Sequence, residues 1–158
     1  MSFDFGEIHP AIVHFPITLV FIAFAFDVLF WKTKQRLFQS LSTWMIIVAG
    51  CILIPVIVSG VYATDFYADK DPDVFRHQAF GIITASFIFG YAFFRGFALY
   101  YQQQHSNYLF LFLSLVALFL VNITAELGGV VVRGEGLFFH SLKPQGSPLP
   151  YSHVDHHH

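Results

Sequence analysis

The sequence predicts an all-α fold, an integral membrane four-helix up-down bundle. Four apolar segments, at residues 10–31, 41–63, 77–101 and 108–125, each reach the length of about 17–25 residues that a bilayer core requires. The connectors at 32–40, 64–76 and 102–107 are short, so successive helices must run antiparallel. Only 11% of the residues are charged against 56% hydrophobic, whereas a soluble domain carries about a quarter charged residues. Open strands cannot satisfy their backbone groups in lipid, which leaves the helical bundle.

The first helix is retained rather than cleaved. Asp4 and Glu7 precede it where a signal peptide carries positive charge, and no small-residue cleavage site follows. Pro16 leaves two readings open. It removes the bond to the carbonyl of Ile12, or it lies at the start of the helix proper, with His9 to Phe15 as a shallow lead-in. In the second helix Pro55 removes the amide that would bond the carbonyl of Cys51, which predicts a kink. Cys51, the single cysteine, excludes an internal disulfide and reads as inert packing. The third helix carries Phe80, Phe87, Phe89, Tyr91, Phe93, Phe94 and Phe97, read as lipid-facing packing and interfacial belt. Gly81, Ala85 and Gly90 on the same helix permit close helix contact. After the fourth helix, glycines at 128, 129, 134 and 136 predict a short hairpin or a helix end followed by a loop. Residues 1–140 form one domain and 141–158 an extended polar tail, whose last three histidines read as the remnant of an added tag.

Lys32, Lys34 and Arg36 flank the first turn with no acid among them, and no Lys or Arg precedes the first helix. The density of positive charge there places that turn in the cytoplasm and both termini outside. The net charge of −2 gives no reason to expect nucleic acid. The expected surroundings are the lipid bilayer and other membrane subunits.

This topology gathers polar residues at the outer end of the bundle. His9 and His14 lie on the first helix, Asp65 follows the second, His77 opens the third, and Asn122 and Glu126 close the fourth. Polar groups at membrane depth are costly and mark functional sites. The first and third helices stand diagonally in an up-down bundle, so His14 and His77 approach one ligand from opposite sides. Two opposed imidazoles suit haem b, with His9 and Glu126 at the rim. The same histidines with Glu126 suit a transition-metal ion. The bland readings are an ion pair of Glu126 with Arg133 or Arg76, and a bond from Asn122 to a neighbouring helix. Asp27 and Arg95, near the opposite end, read as interfacial anchors. No phosphate loop, nucleophile triad or paired-cysteine motif is present.

The run His9-Pro10-Ala11-Ile12-Val13-His14-Phe15-Pro16-Ile17, followed by Asp27, resembles the opening of the DUF2231 family of bacterial membrane proteins. Ser59-Gly60 with Asp65, His77 with Gly81, and Gly128-Gly129 extend the resemblance over about residues 9 to 136. It implies a four-helix membrane domain in the bacterial inner membrane. Relatives occur near or fused to cytochrome c and Rieske modules, which implies a link to electron transfer. Where the family pattern places a histidine before a glycine after the double glycine, this chain has Glu135 before Gly136, so a four-histidine set is not expected here. The functional expectation is a membrane redox subunit binding haem b and passing electrons to other redox subunits. The alternatives are a non-catalytic accessory subunit of a larger membrane complex and a metal-ion-binding membrane protein.

Overall fold

A computed structural model describes residues 5–65, 72–101 and 107–133. They form five helical segments: α1 (Phe5–Ile12), α2 (His14–Thr33), α3 (Arg36–Asp65), α4 (Pro72–Tyr100) and α5 (Asn107–Arg133). Four helical stretches are long and apolar enough to cross a membrane: His9–Thr33, Arg36–Val61, Pro72–Tyr100 and Tyr108–Val131. α2 packs on α3 and α5, and α4 packs on the same two helices. The four long helices therefore close a ring, with α2 and α4 diagonally opposed. The short α1 lies against α3 and α2 at the end of the bundle where the chain begins.

Local chemistry sets the boundaries. Val13 caps α2, so Pro16 falls in the first turn, where its missing amide has no helical partner to lose. Of the two readings of Pro16, the structure takes the second, with the lead-in itself helical as α1. α2 ends at Lys34, whose left-handed backbone (φ 59°) returns its N–H to Phe30 O at 2.8 Å. Pro72 opens α4 at the first helical position with Asp73 in the same turn. This start lies five residues before His77, which therefore sits within the helix rather than at its mouth. α5 continues through Gly128 and Gly129 to Arg133, so these two glycines neither turn nor end the chain's helix; Gly134 and Gly136 lie outside the described residues. Pro55 lies inside the unbroken α3. The tail at 141–158 lies outside the described residues.

Small and branched residues make up most of the interior. Val20, Ala23, Ile46, Ala49 and Ala117 are wholly buried. Large side chains such as Phe15, Trp44, Phe93, Phe112 and Phe119 point outward, which suits a surface solvated by lipid. Gly50 brings α3 close to α4, since a Cβ there would meet Ala92 Cβ at 3.4 Å. Cys51 is exposed on the same lipid-facing side instead of packed inside.

Candidate functional site

Two polar layers cross the ring, one at each end. The first lies at the end where the chain begins. His9 comes from α1, its Nδ1 3.1 Å from both Val56 O and Ser59 Oγ. Because a carbonyl only accepts, Nδ1 carries the proton, and Nε2 is left with its lone pair. The Ser59 hydroxyl donates to the same Val56 carbonyl at 3.0 Å. Opposite, His77 of α4 donates from Nδ1 to Thr124 O at 3.1 Å, which fixes the same tautomer. Each ring rests on a glycine. A Cβ added at Gly60 would stand 3.0 Å from His9 Cε1, and one added at Gly128 would stand 3.0 Å from His77 Cε1. The two imidazoles are half-buried. Thr124 is braced in turn by Thr84, their hydroxyls 2.7 Å apart.

The structure brings His9 and His77 to this layer and leaves His14 off it. His14 lies exposed on the outer face of α2, with Nδ1 donating to Pro10 O of the preceding turn at 2.7 Å. Asn122 is likewise exposed and spends its Nδ2 donor on Leu118 O of its own helix. Glu126 is half-buried on α5, one turn beyond Asn122. The side chains of Asp65 and Arg133 lie outside the described residues. Arg76 pairs with Asp73 of its own helix at 3.3 Å. Among the described residues no group of three or more His, Cys, Asp or Glu side chains stands together.

The second layer lies deep in the bundle near its other end, and corrects the reading of Asp27 and Arg95 as anchors. Asp27 is 2% exposed and Arg95 1%, and Arg95 Nη2 donates to Asp27 Oδ2 at 2.5 Å across the diagonal. All three guanidinium nitrogens donate. Nε donates to Tyr91 OH at 2.7 Å, and Nη1 to Ser42 Oγ at 2.7 Å and Thr43 Oγ1 at 3.3 Å. The rings of Tyr91 and Phe110 lie 4.9 and 4.7 Å from its carbon, within cation–π range. Ser114 of α5 donates to the same Asp27 oxygen. Asp27 Oδ1 is buried with no hydrogen-bond partner among the described residues. Tyr91, expected on the lipid face, is buried as part of this network, and its hydroxyl donates to Phe110 O at 3.0 Å. The stripe Pro16, Val20, Ala23, Asp27, Phe30 is the buried face of α2. That spacing of a charge among small and branched residues was the available signal. It was hidden because α2 is apolar on every side.

A family model described as a predicted membrane protein (DUF2231) matches residues 6–139. No curated protein and no solved structure matches the chain.

Proposed function

The chain belongs to this family of predicted membrane proteins, and we propose that it is a membrane redox subunit that holds haem b between His9 and His77. The observation that carries the reading is the shared state of the two rings. Each spends Nδ1 on a main-chain carbonyl, Val56 O or Thr124 O, and keeps Nε2 as a lone-pair donor. Metal-bound histidines are held this way, the outer bond fixing both tautomer and ring plane. Two neutral imidazoles, one carried by α1 against α3 and one by α4, would hold the haem through their Nε2 atoms. Haem b, when bound, supplies a one-electron couple. The chain's own part is to bind through two Nε2 atoms, to orient the rings through two carbonyls, and to leave room for them at Gly60 and Gly128. Ser59 adds a second acceptor for His9 Nδ1. The cluster of Lys32, Lys34 and Arg36 supports a bacterial inner-membrane topology with both termini and this site outside, facing the modules that would exchange electrons with it.

The test is the absorption spectrum of protein made with ample haem, oxidised and then dithionite-reduced. A Soret band with sharp reduced α and β bands is expected. It is lost in His9→Ala and in His77→Ala, and kept in His14→Ala, whose ring lies on the outer face. A colourless protein sinks the haem reading, and elemental analysis then decides whether a bare transition-metal ion occupies the same two nitrogens.

A second reading is favoured by the apolar groove between α3 and α4, floored by Gly50, Cys51, Ala92 and Gly96. Small residues at a lipid-facing groove let another transmembrane helix approach closely, which suits an accessory subunit of a larger membrane complex. Co-purification of a membrane subunit that is lost in Gly96→Leu supports this reading.

A further inference from the structure

The two halves of the bundle repeat one another. The His9–Val56 bond and the His77–Thr124 bond each span 47 residues. Asp27 and Arg95, which meet on the diagonal, are 68 residues apart. The same step of 68 carries His9 to His77, Val56 to Thr124 and Gly60 to Gly128. It also carries the buried face of α2 (Pro16, Val20, Ala23, Asp27, Phe30) onto buried residues of α4 (Thr84, Ile88, Tyr91, Arg95, Ala98). The buried residues of α5, Phe110, Ser114, Ala117 and Val121, fall in turn on buried Ser42, Ile46, Ala49 and Leu53 of α3. Little residue identity survives at this offset: Ala11 with Ala79, Phe21 with Phe89, Phe26 with Phe94, Gln35 with Gln103, Leu41 with Leu109, Val48 with Val116 and Ala49 with Ala117, besides the histidines and glycines. What persists is which positions face inward.

We infer that the chain is an internal duplication of one helical hairpin, and that its two-fold axis carries a single ligand site made of two equivalent half-sites. The ring of contacts fits this directly. α2 and α4 are diagonal, as are α3 and α5, and each hairpin meets the other through both of its helices. Both hairpins start at the same end of the bundle, so the axis runs along the bundle and passes between equivalent residues. The half-sites are His9 with Gly60 and His77 with Gly128. In each, the glycine is a positioning residue: an added methyl at 3.0 Å displaces the imidazole while leaving its main-chain acceptor in place.

This equivalence constrains the occupant. A ligand held by both half-sites would offer two like coordination positions. A metal centre in a planar macrocycle would supply them, and a one-sided polar substrate would not. The identity of the ligand rests on the redox reading above. The equivalence of the half-sites does not.

The test compares Gly60→Ala with Gly128→Ala in the full chain. Gly90→Ala serves as the control, since a Cβ there meets nothing within 4 Å. In apo protein labelled with 15N-histidine, His9 and His77, assigned through His9→Gln and His77→Gln, are expected to show the same Nδ1-protonated tautomer. Each glycine substitution is expected to shift the resonances of its own histidine by a similar amount. Haem titration is expected to show an equal loss of affinity in the two variants, about 10-fold or more, and none in the control. Opposite tautomers, or one glycine silent while the other is disruptive, would overturn the inference. Matching tautomers in a protein that binds no haem would uphold the duplication and overturn only the redox reading.

Discussion

Asp27→Ala is expected to destabilise the bundle by about 3–5 kcal/mol, because it strands the Arg95 guanidinium where no water reaches it. Arg95→Ala should cost as much, since it leaves Asp27 with one oxygen already unpartnered and the other held by Ser114 alone. The double variant Asp27→Ala/Arg95→Met is expected to recover much of that loss. The reason lies in the hydroxyls around the pair. Ser42 keeps a donor bond to Ala23 O, Thr43 to Gln39 O and Tyr91 to Phe110 O whether or not the charge is present. Removing both charges therefore leaves few orphans, whereas removing one leaves a buried ion. Unfolding in detergent, run as a double-mutant cycle, measures the coupling directly. Additive losses in the double variant would show that the two charges do not act as a pair.

Ala49→Leu and Ala117→Leu should each destabilise by about 1–3 kcal/mol, the usual cost of forcing extra methylenes into a filled interior. Both alanines are wholly buried. Ala49 lies on α3 between Ser42 and Val56, and Ala117 on α5 between Ser114 and Thr124. Each leucine pushes its helix outward, and the carbonyl that holds a histidine moves with it. Thermal unfolding in detergent is therefore expected to fall together with haem retention, and by similar amounts for the two variants. A leucine absorbed at either site without loss would mean that the interior there is not filled.

The number and direction of the helices were legible because length and hydropathy are properties of whole segments. The histidine layer was legible in part. Topology alone brings His9 and His77 to one end of the bundle; His9 and His14, five residues apart, point to different faces of a helical course, and the sequence does not say which of them faces inward. The glycines were misread for a physical reason. Gly128 in an apolar run looks like a chain reversal, whereas here it makes space for an imidazole from another helix. The inner layer was missed because a membrane helix that is apolar all round declares no buried face, so a lone Asp27 passes for an anchor. The repeat offered a handle: aligning His9 with His77 places Asp27 on Arg95, opposite charges at one register. That alignment needs inward-facing positions compared rather than residue types.

The separation of Asp27 from Arg95 in the chain also sets a timetable for biosynthesis. The two charges are 68 residues apart, and synthesis proceeds at roughly 5–20 residues per second, so about 3–14 s separate them. Over that interval the first hairpin exists with an acid facing its inner side and nothing to answer it. Such a half-made bundle has reason to stay loosely inserted, or to remain with the insertion machinery, until the second hairpin arrives.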